Sequence, residues 1–383
     1  MVNNREASHL KLHLLSEGVT FTESFLEKFG CDFSLMEKRR AYNNSDDAHL
    51  DLQLRVPQEI IIGDVVIAVK HKKDSPWQLE FKESYYLSHY GKPVTLVSFP
   101  FRPLLFDQKT PKGIRCDAVA NLYGGSSLAF FTPSTCYYFK NGFECKFCSL
   151  EPTRDNETTF VHTITPEVAS DVFRIALSSD PNIFKQIMLV GGNIPDYNLG
   201  FKNNLRITKS LNKTQEHLPA SKQLEIHIAT MPPRDLELIN EFSKLNARLT
   251  MNLEVFDDQI FEILCSGKAR DYGRENLKRA LQYASKTLPD KRVHSILIAG
   301  LEPISSTIEG IKTLVSMGVT PIINVFHSDR GSPLENLSQP SYENLLSVAL
   351  ELEKVYQQYE LTPYWNGCGR NSLDFEALHG WFS

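Results

Sequence analysis

"SSLAFFTPSTCYYFKNGFECKFCSL", residues 126–150, joins a run of strand length to a loop that carries three cysteines. The first six residues are mostly apolar and short, as in a strand buried on both faces. Cys136, Cys145 and Cys148 follow directly, at the spacing C-x8-C-x2-C. If the run is a strand, the cysteines sit in the loop at its carboxyl end. The rest of the chain then decides what kind of sheet the strand joins.

Five more runs repeat the pattern: "QIMLVGG" (186–192), "LEIHIAT" (224–230), "ARLTMNLEV" (247–255), "VHSILIAG" (293–300) and "PIINVFH" (321–327). Helical patterns lie between and after them. "TPEVASDVFRIALSS" opens with Thr165 as cap and Pro166 in the first helical position. "DDQIFEILCSGK" places Ile260, Ile263 and Leu264 on one face and Gly267 at its end. "STIEGIKTLVSMG" stops at Gly318, and "YENLLSVALELEKVYQQY" is long and amphipathic. Strand and helix alternating in this way predict an α/β fold, a partial (β/α)6 TIM-like barrel, with chemistry at the carboxyl ends of the strands. The barrel core is expected over residues 116–337. An N-terminal α+β extension (1–115) holds β-like runs at 59–71 and 92–101, and a C-terminal helix and tail (338–383) are expected to cap the barrel.

Three thiolates suit a [4Fe–4S] cluster with one iron left open, since each binds one iron. A structural zinc site closes with four ligands, and His162 or Cys116 would complete it. On the cysteines alone both readings stand.

Further along, the motifs acquire a family likeness. "CKFC" (145–148) resembles the C-x-aromatic-C half of the radical S-adenosylmethionine signature, with Phe147 in the aromatic slot and a longer first spacing than usual. "LVGGN" resembles the family's GGE-type motif, in which backbone at Gly191, Gly192 and Asn193 would receive the methionyl amino group. "MNLEVFDD" is similar to the biotin synthase-like branch, where Asn252 and Glu254 would face the ribose hydroxyls. "KARDYGRENLKRAL" resembles the segment whose arginine pairs with the methionyl carboxylate, here Arg270, with Arg274 in reserve. "ILIAGLEP" is similar to the region beside the adenine, with Ile298 and Gly300 in place and Glu302 one position early. "FHSDRGSPLEN" resembles the segment after the sixth strand. The likeness covers roughly residues 122–337, one motif per strand end.

That resemblance implies a [4Fe–4S] cluster and S-adenosylmethionine as cofactors. It implies reductive cleavage to a 5′-deoxyadenosyl radical that takes hydrogen from a small-molecule biosynthetic substrate, with rearrangement, fragmentation or sulfur insertion to follow. A flavodoxin or ferredoxin would donate the electron. The competing class is a zinc- or cluster-stabilised barrel that binds a ligand or partner without radical chemistry. Beyond the family motifs, Cys368 in "PYWNGCGRN", His227 and His327 are candidates to act on the substrate, and Tyr123 is a further inward-facing candidate. Cys31, Cys116 and Cys265 are expected to be structural, as small apolar residues.

Composition limits the partners. The 383 residues are 42% hydrophobic and 23% charged with net charge −5, which favours a soluble globular chain without nucleic acid as a partner. The basic clusters "EKRR" (37–40) and "KHKK" (70–73) are expected on the solvated surface. No apolar run reaches membrane-spanning length and the polar start is unlike a signal peptide, so a cytoplasmic location without membrane attachment is expected. Seven cysteines, three of them clustered, point away from a disulfide framework.

Overall fold

The computed structural model describes residues 2–39, 55–156, 159–288 and 291–383. The apolar runs form one sheet of seven strands: β7 (Ala120–Tyr123), β8 (Ser127–Phe131), β9 (Gln186–Val190), β10 (Glu225–Ala229), β11 (Ala247–Thr250), β12 (Val293–Ala299) and β13 (Thr320–Val325). Their spatial order equals their chain order. β8 to β13 run parallel, and β7 is an antiparallel edge strand joined to β8 by the Gly124–Gly125 turn. Parallel neighbours need a crossover, and right-handed crossovers in unbroken order keep the helices on one face. The sheet is an open half-barrel: β7 and β13 do not pair with each other.

Helices Pro166–Ser179, Tyr197–Gln215, Arg274–Thr287, Ile304–Ser316 and Tyr342–Tyr359 bury Val172, Phe173, Phe201, Leu205, Leu277, Leu281, Ile311, Leu314 and Leu352 in the same core as the strands. Thr165 caps the first by accepting from the Val168 amide, as its sequence predicts. Two expectations need correction. The 247–255 run is a strand only to Thr250. Beyond it the pairing with β12 turns irregular and returns as a single bridge from Glu254, at a φ of 68°, to Leu297. Gly267 does not end the 257–268 helix. That helix breaks at Cys265, and Gly267 lies in a second short helix, Ser266–Asp271, where a Cβ would meet the Tyr138 ring at 2.4 Å.

The tail supplies a feature absent from the sequence pattern. Residues 364–373 run between the two edges of the sheet. On one side Val325 donates to the Asn371 carbonyl (2.8 Å) and Leu373 to that of Ile323 (3.0 Å). On the other, Tyr123 donates to Asn371 Oδ1 (3.1 Å) and stacks on Trp365 at 4.8 Å between ring centroids. The tail passes so close to the β7–β8 turn that a Cβ on Gly124 would fall 1.7 Å from the Cys368 carbonyl oxygen.

Ahead of the half-barrel, helix Asn4–Glu17 starts with a capping box on Asn3 and Glu6. It packs with a hairpin, β2 (Glu59–Ile62) and β3 (Val65–Ala68), and with the sheet β1 (Thr20–Phe21), β4 (Trp77–Phe81), β5 (Tyr85–His89) and β6 (Lys92–Leu96). Phe25, Phe29, Ile60, Ile62, Leu79 and Leu87 form a core of their own. The basic clusters differ from expectation. Lys70 and His71 are buried, and Lys70 donates to Ser328 at 3.0 Å. Arg39 stacks on Phe106 and Phe160; Arg40 lies outside the described residues. Lys70 and Arg39 tie the extension to the half-barrel, whereas Lys72 and Lys73 face solvent as expected.

Candidate active site

Alternate residues along a strand point to the same side. Ala129 and Phe131 on β8, Met188 and Val190 on β9, and Ile296 and Ile298 on β12 accordingly line one cavity inside the half-barrel. Cys136, Cys145, Cys148 and Phe147 lie on its wall, in the loop after β8. Gly191, Gly192 and Asn193 at the end of β9, Asn252 and Glu254 beyond β11, and His327 after β13 face the same space.

The cysteine loop is held from below. Lys146 donates to the Leu264 carbonyl (2.9 Å), the Gly267 amide to that of Phe143 (3.2 Å), and Tyr138 and Tyr197 share a hydroxyl hydrogen bond of 2.5 Å. The sequence suggested that Gly191 and Gly192 admit a ligand to the backbone. What approaches them here is the cysteine loop itself. A Cβ on Gly191 would sit 2.3 Å from the Pro133 carbonyl oxygen, and one on Gly192 would sit 2.6 Å from Cys136 Cβ. The Asn193 amide then points at Cys136 Sγ, 3.4 Å away. Burial pushes the Cys136 and Cys148 thiols up, whereas a hydrogen bond with Cys265 draws Cys145 down.

Near the cysteines, Glu254 and Lys268 form a buried ion pair at 2.5 Å, both on the cavity wall. Burial opposes the charge on Lys268, but Glu254 outweighs it and holds the ammonium protonated. Lys268 was not singled out from sequence; "SGKARD" offered a signal in a lysine two residues before the chosen arginine. Arg270 itself lies outside the cavity, 42% exposed, paired with Asp271 and stacked over Phe143 at 3.8 Å. Arg274 also lies outside, donating to the carbonyls of Val255 and Phe256. Glu302 accepts from the Phe256 and Asp257 amides, both at 2.7 Å, so it fixes the same turn. Gly300 packs on Pro340 and is absent from the cavity wall.

The three candidates for acting on substrate separate. His327 faces the cavity, with Nδ1 2.7 Å from Asp329 Oδ1, and Asp329 in turn accepts from the Ser149 hydroxyl beside Cys148. His227 points inward but is sealed off by the Tyr364 ring at 4.7 Å, and burial lowers its pKa. Cys368 is buried in the tail against the β7–β8 turn, off the cavity wall, and burial pushes its thiol up to about 12. Tyr123 does line the cavity, as do Tyr364, Trp365 and Asn371 from the tail, which the sequence reading did not name.

The proposed zinc partners are also placed elsewhere. Cys116 is buried in the short helix before β7, and His162 lines a different pocket with Lys140, Arg154 and Asp155. Among the described residues no three His, Cys, Asp or Glu side chains gather around one point that would hold a single ion. The three cysteines line one wall of the cavity, and a donor set of three thiols, one per iron, is the chemistry that a multi-iron group with one open iron would use.

No family model matches the chain. A bacteriochlorophyllide c C-7(1)-hydroxylase of Chlorobaculum limnaeum is 26% identical over 140 residues, which is 36% of this chain and 35% of the relative. The match thus spans about a third of that relative's length. Among solved structures, a radical S-adenosylmethionine methyltransferase from Sphaerobacter thermophilus aligns with a TM-score of 0.45 and 12% identity, over 69% of this chain and 79% of that one. Streptococcus suis SuiB aligns with a TM-score of 0.43 and 11% identity, over 62% and 47%. At such identities the assignment of residues rests on the cavity itself.

Proposed function

We propose that Cys136, Cys145 and Cys148 hold a [4Fe–4S] cluster at the cavity wall and that the protein activates a C–H bond of a small-molecule substrate. One observation carries this reading. Three thiols share a cavity with the backbone of Gly191–Asn193 and with Asn252, Glu254 and Lys268, groups suited to an amino acid carboxylate, an amine and ribose hydroxyls. When bound, the cluster and S-adenosylmethionine supply a carbon-centred radical for hydrogen abstraction. The chain's own residues bind, orient and exclude water. Asn193 and the glycine backbone take the amino group. Asn252 and Glu254 take the ribose. Lys268 supplies the positive charge that the sequence assigned to Arg270. Phe147 and Ile298 supply apolar wall. His327, oriented by Asp329, stands ready to hold or move a proton at the substrate. A flavodoxin or ferredoxin is the proposed electron donor.

The competing reading is a zinc site in a non-catalytic barrel. No four thiols gather around one point among the described residues, so such a site would have to form on metal binding, with Cys265, which interacts with Cys145, as its fourth ligand. Anaerobic reconstitution separates the two. The proposal expects about four irons per chain, 5′-deoxyadenosine after dithionite and S-adenosylmethionine, loss of iron in Cys145→Ala and retention in Cys265→Ala. A colourless protein whose tightly held zinc depends equally on Cys265 would overturn it.

A further inference from the structure

The cysteines outside the loop of residues 136–148 do not share one setting. Cys31 is exposed on the extension, and Cys116 and Cys368 are buried off the cavity wall. Cys265 is fully buried behind that wall, at the break between the two short helices, and its thiol interacts with that of Cys145. The backbone explains why the two meet. The Lys146 amide donates to the Leu264 carbonyl (2.9 Å), one residue to one side of the cysteines. The Gly267 amide donates to the Phe143 carbonyl (3.2 Å), two residues to the other side. The two segments therefore pass in opposite directions with Cys145 facing Cys265. Residues opposed in this way have α-carbons about 4.5–5.5 Å apart. That lies inside the span a disulfide bridges, about 4.4–6.8 Å. The clamp is tight, since a Cβ on Gly267 would fall 2.5 Å from the Phe143 carbonyl oxygen. Cys145 is half-buried and lines the cavity, so a small oxidant entering there reaches it while Cys265 stays covered. A thiol oxidised alone proceeds to sulfinic and sulfonic acids, which thiol reductants do not reverse. A second thiol beside it stops the oxidation at a disulfide, which they do reverse.

We propose that Cys145 and Cys265 form a redox modification site: when Cys145 holds no iron, hydrogen peroxide converts the pair to a disulfide that keeps the ligand recoverable. The Cys145 thiolate attacks one peroxide oxygen, the O–O bond breaks, and the other oxygen leaves as water, giving a sulfenic acid. The Cys265 thiol then attacks that sulfur, the S–S bond forms, and the sulfenic oxygen leaves as a second water. The pair of thiols is oxidised by two electrons, and the peroxide is reduced to water. That Cys145 is an iron ligand rests on the function proposed above; the pairing of the two thiols rests on the backbone that opposes them.

The test treats the full-length chain, stripped of metal with a chelator, with hydrogen peroxide and maps its peptides by mass spectrometry without reduction. A Cys145–Cys265 crosslink is expected as the main product, and dithiothreitol should then restore both thiols and the uptake of iron. In Cys265→Ala the same treatment should leave Cys145 as sulfinic or sulfonic acid, with iron uptake still lost after dithiothreitol. The crosslink in the parent is read whatever the stability of that variant. Crosslinks from Cys145 chiefly to Cys136 or Cys148, or Cys145 over-oxidised as fully in the parent as in Cys265→Ala, would overturn the site. Untreated chain, reconstituted anaerobically, keeps the two proposals apart. Iron and 5′-deoxyadenosine found there while the crosslink fails remove the redox site alone; no iron there while the crosslink forms removes the radical function alone.

Discussion

Lys268 and Glu254 are each 7% exposed and touch at 2.5 Å beside the cysteines, so neither charge has water to fall back on. Removing one partner of such a pair strands the other, whereas neutralising both does not. Lys268→Met is therefore expected to destabilise the protein by roughly 3–5 kcal/mol, and Lys268→Met with Glu254→Gln to recover most of that loss. Urea unfolding of the three proteins checks it; a double variant no more stable than Lys268→Met would show that the pair acts otherwise. Both variants should also lose S-adenosylmethionine affinity, since Lys268 is the cation on that wall. The sequence led to Arg270 because spacing shows which residues lie in a segment, not which way each faces. The Phe143 ring that draws Arg270 outward lies 127 residues earlier in the chain and leaves no trace in the local pattern. The three cysteines were legible for the opposite reason. Their chemistry is carried by residue type and close spacing, and both are local.

At the scale of elements, the six parallel strands were readable because burial on both faces writes a continuous apolar run. β7 escaped notice since "ANLY" is only four residues long and one of them is polar. The tail was expected as a cap, but which of its residues reach the cavity was not legible: residues 364–373 are neither helix nor regular strand, and their aromatic and amide residues follow no period. Its shape is set by one buried carboxylate. Asp374 accepts from the Tyr364 amide (2.8 Å), the Trp365 amide (3.0 Å) and the Ser372 hydroxyl (2.6 Å), and burial raises its pKa. Asp374→Ala leaves two backbone donors buried and unpaired, at a cost of roughly 2–4 kcal/mol. Hydrogen exchange at the Tyr364 and Trp365 amides should accelerate in this variant while the β9 and β12 amides stay protected. Uniform acceleration across the sheet would instead mean that the tail has no separate anchoring and that Asp374 serves global stability only.

Over the whole molecule, the extension and the tail are tied together under the half-barrel. Arg370 pairs with Glu59 at 2.9 Å, and Lys11 bonds both Glu376 and the Gly369 carbonyl at 2.7 Å, all of them nearly inaccessible. Between the tail and the strands lie two histidines, His227 and His294, both against the Tyr364 ring. Burial holds both below the usual histidine value of 6.5, His294 at about 3. The Glu225 carboxyl, hydrogen-bonded to His227 at 3.1 Å and paired with Arg248 at 2.5 Å, is held down at about 2 against its own burial. The sign for stability follows from proton uptake. Below pH 6.5 the unfolded chain takes up protons that the folded one refuses, so stability falls as the pH falls. The slope is about 1.4 kcal/mol per pH unit for each histidine, and for His294 the slope ends, with the loss complete, once the pH reaches its folded value. His294→Gln keeps an N–H for the Thr362 carbonyl, which His294 Nε2 meets at 3.0 Å, and removes the titration. Urea midpoints measured between pH 7 and 4 should therefore decline less steeply in His294→Gln than in the parent. Parallel declines in the two proteins would place the acid sensitivity between pH 7 and 4 in groups other than His294.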